Sequence, residues 1–309
     1  MIDLARLQAF IHAAETLSFS EAAKRLHVTQ PTISHRINQL EKSLGVELFD
    51  RSGGSIRLSE GGRLLLPWAH KLVRQAIEVQ EMMASVEEGI AGHIRIACST
   101  TAGKYVLPQL AARFCQRYAG TRVSILACTA PHILPRLLEG EANLAVSSSY
   151  NLCGNGFECQ EFFRDAITLI VPADHPWAVR DHVEPADLLQ EQIIMREATS
   201  GTRQVLLTEL AKHDISEDDL DVSLELGNAE AIVRTVQAGF GISFVPNLAA
   251  DWALALGHVV AVPVTGLQLQ RGIYMIRRQL AAPHRAQEVF WDFVHSPSNA
   301  DLLQLPRTV

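Results

Sequence analysis

Between Thr29 and Asn38 the stretch "TQPTISHRIN" gathers Thr29, Gln30, Thr32, Ser34, His35, Arg36 and Asn38 around one proline, Pro31. Amide, hydroxyl and imidazole groups at this density can hydrogen-bond the edges of nucleic-acid bases, provided one rigid element projects them together. A second group is rich in hydroxyls: "CSTTAG" holds Ser99, Thr100 and Thr101, "SSS" holds Ser148, and "REATSGTR" holds Thr199 and Ser200 with Arg196 and Arg203 beside them. Hydroxyls at strand-to-helix turns suit a small anion, because helix N-termini offer free N–H groups and a positive dipole end there. Catalytic and metal-binding patterns are missing. The chain has no G-x-S-x-G elbow, H-E-x-x-H, P-loop or G-x-G-x-x-G, and its 12 histidines are scattered. The 5 cysteines (Cys98, Cys115, Cys128, Cys153 and Cys159) form no C-x-x-C pair and no Cys/His set at zinc spacing. No metal and no cofactor is expected, and an odd cysteine count suits reduced thiols.

The elements that must position the first group begin at Leu4. Leu4, Leu7, Ile11, Ala14 and Leu17 recur at helical spacing and predict an amphipathic helix. Ser20 reads as the N-cap of a short helix, "EAAKRL", and Thr29 as the cap of a third, with Pro31 tolerated in its first turn. Ile33, Ile37, Leu40 and Leu44 form that helix's apolar stripe, Gly45 is placed to end it, and Pro31, Ser34, His35 and Asn38 fall on the opposite face. Two helices joined by a tight turn, the second showing short polar side chains near its start, fit a helix-turn-helix reader of the DNA major groove. "VELFDRSGGSIRLS" then reads as a hairpin wing carrying Arg51 and Arg57 toward phosphates. Charge agrees: residues 20–75 hold 9 Lys/Arg against 5 Asp/Glu inside a chain of net charge −7.

Ser59 opens a long helix reaching about Glu88, on which Leu65, Ala69, Leu72, Ala76, Val79, Met83 and Val86 form a heptad seam. Self-pairing through Leu65, Leu72, Val79, Met83 and Val86 would set two reading heads on one duplex. From His93 onward short apolar runs alternate with helical patterns, which implies an α/β domain with a parallel sheet. Two such sets, joined by a final strand "LQRGIYMIRR" and helix "PHRAQEVFWDFV" that return to the first set, predict two lobes and a cleft. The expected organisation is a DNA-binding domain at 1–58, a dimerisation helix at 59–89 and an effector domain at 93–309, with lobe one about 93–163 plus 266–309 and lobe two about 164–265. A 48% hydrophobic composition argues against disorder, no run approaches the ~18 apolar residues of a membrane span, and the N-terminus lacks the pattern of a signal peptide. A soluble protein of the cytoplasm, without membrane contact, is expected.

The stretch "LQAFIHAAETLSFSEAAKRLHVTQPTISHRINQLEKSLGVELFDR" and the following "LSEGGRLLL" resemble the LysR-type transcriptional regulators, and the likeness extends along essentially the whole chain. The resemblance implies a winged helix-turn-helix, a coiled-coil linker helix and a two-lobed effector domain like the periplasmic binding proteins, assembled as homotetramers. "STTAGKYVLP" and "REATSGTR" look like the sulfur-assimilation and carbon-fixation regulators of that family. Gln30, Pro31 and Ser34 match its groove-facing positions, and Arg51 and Arg57 its wing arginines. His35 stands where an arginine is common, and an imidazole cannot make arginine's bidentate guanine contact. Ser99, Thr101, Ser148 and Thr199 or Ser200 fall where sulfur regulators hold an oxyanion, whereas Ala102 replaces a polar side chain and weakens the case for sulfate.

The expected function is therefore a DNA-binding regulator whose cleft senses a small anionic metabolite: a sulfur oxyanion, a phosphorylated metabolite or a carboxylate. Its partners would be double-stranded DNA, that effector, further copies of the chain and RNA polymerase. The alternatives are a redox sensor acting through Cys153 and Cys159 and, more distantly, an α/β enzyme.

Overall fold

The first helix, α1 (Leu4–Thr16), starts where the Asp3 side chain accepts the N–H of Arg6 at 3.1 Å. The computed structural model describes residues 2–50, 56–88, 90–98, 100–148, 153–154, 156–279 and 285–303, without the side chains at 78, 81–82, 84–88 and 100–102. It divides into two units, Met1–Gly89 and Ile90–Val309. In the first, α1 buries Leu7, Ile11 and Ala14 as its spacing predicts, with Phe10 beside them, but Leu4 and Leu17 are exposed. Leu17 has left the helix as its C-cap, with φ 47°.

The second helix, α2 (Phe19–Arg25), is capped by Ser18 rather than Ser20: Ser18 Oγ accepts the N–H of Glu21 at 3.3 Å. Starting earlier brings Phe19 onto the buried face, where its ring meets Phe49 edge-on at 5.4 Å. Helix α3 (Gln30–Leu44) follows with Thr29 as N-cap and Pro31 in the first turn. Thr29 makes no capping bond to the backbone, and its hydroxyl hydrogen-bonds that of Thr32 at 2.9 Å. Ile33, Ile37 and Leu40 are fully buried. Gly45 ends the helix at φ 74°, a left-handed conformation that a side chain would strain, and its N–H donates to Glu41 O at 2.8 Å. Strands β1 (Phe49–Asp50) and β2 (Arg57–Leu58) pair antiparallel as the base of the wing, while Arg51 lies outside the described residues.

Helix α4 (Glu60–Glu88) is capped by Ser59, whose Oγ accepts the N–H of Gly62 at 3.0 Å and donates to Glu47 O at 2.6 Å. The heptad seam needs correction at its start. Ala69 is fully buried and Leu65 partly so, both packed on the core that α1, α2 and α3 build. A core that small needs the first turns of α4 to close it, so Leu65 faces its own unit instead of a partner. Trp68, Leu72, Val79 and Met83 stay exposed, and the side chain of Val86 lies outside the described residues.

The second unit runs β3 (Gly92–Cys98), α5 (Thr100–Tyr105), α6 (Leu107–Arg117), β4 (Thr121–Ala127), α7 (Ala130–Leu138), β5 (Leu144–Ser147) and β6 (Phe157–Pro172). It continues through β7 (Gln192–Arg196), α8 (Gly201–Ala211), β8 (Asp221–Leu226), α9 (Ala229–Gln237), β9 (Ser243–Pro246) and α10 (Asn247–Ala255). It closes with β10 (Val259–Val262), β11 (Gln270–Arg278), α11 (Arg285–Val294) and α12 (Ala300–Leu303). The helical stretch "AGKYVLPQLAARFCQRYAG" is divided between α5 and α6, because Pro108 lacks the N–H an unbroken helix would use and instead occupies the first turn of α6. Helix α10 and strand β10 were not foreseen: "NLAADWALALGHVV" is apolar nearly throughout and shows no clear period.

The sheet is mixed rather than wholly parallel. β3 pairs parallel with β4 and β5, whereas β11 pairs antiparallel with β5 and β6. β6 is shared: residues 157–166 pair with β11, and residues 167–172 pair with β9 and β10. The chain passes from lobe one to lobe two along this strand and returns along β11. Lobe one packs around Ile96, Phe114, Met275 and Phe290, and lobe two around Leu169, Ile193, Leu210 and Ile242. The expectation of wholly reduced cysteines is corrected at Cys153 and Cys159, which are disulfide-bonded across Cα atoms 5.6 Å apart and clip the turn before β6. Cys98 is free and buried, and burial pushes its thiol up to about 12.

Candidate nucleic-acid interface and effector cleft

Helix α3 spends its apolar stripe on the head's core, so its other face is left to solvent. Gln30, Pro31, His35 and Asn38 are exposed there, and Thr32, Ser34 and Arg36 are half-buried. Among the described residues the side chains of Gln30, Ser34 and Arg36 have no hydrogen-bond partner, so their donors and acceptors are unspent. His35 Nε2 lies 2.7 Å from Gln39 Nε2, one turn along, which fixes the imidazole edge on that face. An open recess of about 530 Å³ joins this face to the wing, lined by Ser18, Ser20, Gln30 and Arg57 together with Leu17, Phe19 and Ile56. Gln30, hydroxyls and an exposed arginine around a recess suit a phosphate beside a base edge.

In the second unit the predicted hydroxyls divide. Ser99 lies outside the described residues, and Thr100 and Thr101 occupy the first turn of α5 with side chains outside the described set. Ser148 follows β5 directly. Ser200 is the N-cap of α8, and its Oγ accepts the N–H of Thr202 at 3.3 Å, while Thr199 is exposed in the turn before it. Both arginines are held by carboxylates of lobe two. Arg203 donates to Arg196 O at 2.7 Å, to Glu225 at 2.5 Å and to Glu217. Arg196, 4% exposed, holds Glu197 through two bonds of 2.8 and 2.9 Å. Burial explains both: a guanidinium removed from water must find carboxylates, and these two find them within lobe two.

A cation that stands between the lobes is Arg271 of β11, which residue typing missed. Its Nε and Nη2 donate to Asp165 Oδ2 at 3.1 and 2.7 Å, across the β11–β6 register. Asp165 is 1% exposed, and burial pushes its carboxyl above the ordinary range against the pull of Arg271. The pair sits where β6 changes partners, between the lobes. A methyl group on Gly201, the first residue of α8, would overlap Ser148 Oγ and stand 3.2 Å from Arg271 Nη1. Lobe one, lobe two and the crossover strands therefore meet at one point, and glycine is what lets them approach. A second inter-lobe contact joins α5 to α9: Tyr105 Oη donates to Glu230 at 2.7 Å and Lys104 Nζ at 3.0 Å. The carboxyl of Glu230 is held below the ordinary carboxylate range, first by the Tyr105 hydroxyl and then by Lys104.

Sequence comparison places these two regions in known families. Residues 4–63 match the bacterial regulatory helix-turn-helix proteins of the lysR family, and residues 87–297 match the LysR substrate binding domain. The chain belongs to the LysR family. It is a transcriptional regulator with a helix-turn-helix domain and a two-lobed effector-binding domain, not an enzyme. Among its relatives, an uncharacterized HTH-type transcriptional regulator of Methanocaldococcus jannaschii, MJ0300, is 33% identical over 93% of this chain and 96% of the relative. A probable RuBisCO transcriptional regulator of Nostoc sp. is 29% identical over 93% of this chain and 88% of its own, in line with the resemblance to carbon-fixation regulators. The Synechocystis PCC6803 CcmR regulatory domain, solved in complex with 2-PG, matches 70% of this regulator and all 100% of its own chain with TM-score 0.61 and 27% identity. Among the described residues no helix is long and apolar enough to cross a membrane, and no group of His, Cys, Asp and Glu is placed to hold a metal.

Proposed function

We propose that this LysR-type regulator works in the cytoplasm and reads its operator through α3, with Gln30, Ser34 and His35 on base edges. Thr29, Thr32, Arg36, Asn38, Arg51 and Arg57 support them on backbone and groove. The unspent side chains of Gln30, Ser34 and Arg36 on the exposed face of α3 support this reading. Two heads are held together by pairing of α4 through Leu72, Val79 and Met83, to which the exposed Trp68 adds. Ser34→Ala is expected to weaken binding to the specific operator by about 1–3 kcal/mol while leaving random DNA nearly unaffected. Fluorescence anisotropy on both duplexes checks it, and equal losses would remove α3 from base readout.

The effector domain senses a small anionic metabolite in the inter-lobe cleft, held by Ser148 and the first turn of α8, with Ser99, Thr100 and Thr101 on the lobe-one side. The likeness to a CcmR domain that holds 2-PG supports a ligand of that size. Such a ligand shifts the lobes only so far as it binds their two arrangements unequally. Thermal shifts against sulfate, phosphate, phosphorylated sugars, small carboxylates and 2-PG test the reading, since a ligand at one hundred times Kd adds about 2.7 kcal/mol of apparent stability. One selective hit that Ser148→Ala abolishes locates it. The Cys153–Cys159 bond is accounted for as a clip on the turn before β6, and the redox alternative gains no support from it.

A further inference from the structure

We infer that Arg271 is the charge partner of the effector: its Nη1 group, beside Ser148 Oγ and the first turn of α8, receives an anionic oxygen of a small phosphorylated or carboxylated metabolite. The inference rests on the effector-cleft reading and adds the residue that would decide its charge selectivity. Four observations converge. The Arg271 side chain is 10% exposed, and Asp165 takes its Nε and Nη2 edge, so the guanidinium is anchored before any ligand arrives. Among the described residues Nη1, at the corner away from that edge, has no hydrogen-bond partner. Nη1 instead faces the start of α8, 3.2 Å from the position a Gly201 Cβ would take, with Ser148 Oγ on the same spot. Finally, α8 is an 11-residue helix whose first-turn N–H groups point out of its N-terminal end, where an anion is stabilised.

The other arginines near the cleft cannot fill this role. Arg203 is engaged by Glu217, Glu225 and the Arg196 carbonyl, and Arg196 pairs with Glu197 within lobe two, whereas Arg271, paired with Asp165, directs its Nη1 to the point where both lobes meet. A pre-anchored guanidinium loses little rotamer entropy on binding and favours carboxylate and phosphate oxyanions over neutral ligands. Gly201 belongs to the same arrangement. Any side chain at this position would overlap Ser148 Oγ and crowd Arg271 Nη1.

The test uses the full-length protein, titrated calorimetrically with 2-PG, inorganic phosphate and acetate. The wild type should bind at least one of them, and the ranking of phosphate against acetate tells a phosphate-led from a carboxylate-led ligand. In Arg271→Gln combined with Asp165→Asn, which removes both buried charges together, affinity should fall about 10- to 100-fold, the size of a lost charged hydrogen bond. The preference between phosphate and acetate should collapse in the same variant. Arg271→Lys, which keeps the charge and loses the fork, should retain part of the affinity with an unliganded Tm close to wild type; this variant decides the matter where the double variant folds poorly. Unchanged affinity and preference in the folded variants would overturn the role of Arg271 and leave the cleft reading intact. A wild type that binds none of the three anions would overturn both.

Discussion

The reading head and the effector domain both present clusters of hydroxyl, amide and cationic side chains, yet they use them in opposite ways. On α3 the polar residues stand on a face the head's own packing does not need, and among the described residues Gln30, Ser34 and Arg36 spend no side-chain hydrogen bond. In lobe two the comparable residues are consumed internally. Ser200 caps α8, Arg203 serves two glutamates and a carbonyl, and Arg196 serves a third glutamate. A residue's type shows what it is able to bind, and its unspent capacity shows whether it is still available to do so.

Removing consumed groups should cost stability, and removing unspent ones should cost binding. The largest effect is expected for Arg203→Ala, which strands Glu217 and Glu225 beside a side chain only 11% exposed. About 2–3 kcal/mol of stability should be lost, below the full value of a breached buried pair because both glutamates keep some solvent. Urea denaturation measures it, and a loss under about 0.5 kcal/mol would mean that Arg203 is available to a ligand after all. Gln30→Ala sharpens the other half. It should leave the stability within about 0.5 kcal/mol of wild type yet weaken operator binding by about 1–2 kcal/mol. A drop in Tm would show that Gln30 is spent on the recess beside the wing.

The smallest effect concerns the contact between α5 and α9. The depressed carboxyl of Glu230 contributes stability that is complete above its unfolded pKa and fades as pH falls through its folded one. Glu230→Gln should therefore cost under about 1 kcal/mol near neutrality, given a half-exposed pair, and the two proteins should converge in acid. Melting curves across pH 3–7, taken at roughly unit steps, would show that closing gap; parallel curves would mean the carboxylate contributes nothing there.

Much of the head was legible in the sequence because its signals are local. Helical spacing, Pro31 in a first turn and Gly45 after a last one each refer to residues within four positions, and the structure places Pro31 and Gly45 as read and the α1 stripe as read except at its ends, Leu4 and Leu17. The errors there came from competition the spacing does not record. Ser18 outcompeted Ser20 as a cap because Phe19 had a core to enter, and Leu65 turned inward because that core needed closing. In the effector domain the strand and helix rhythm was legible, but the mixed sheet was not, since direction and register depend on which distant strand each segment meets.

The sequence by itself determined that a polar-faced helix follows a tight turn, that a long heptad helix follows the wing, and that an α/β domain completes the chain, because each rests on periodicity and capping within a short window. Tertiary structure alone decided which charges remained available. Asp165 and Arg271 lie 106 residues apart, and only the β6–β11 register makes them neighbours and brings Ser148 and Gly201 to the same point. Charge pairing depends on distance in space, and distance in space is what a one-dimensional pattern does not carry.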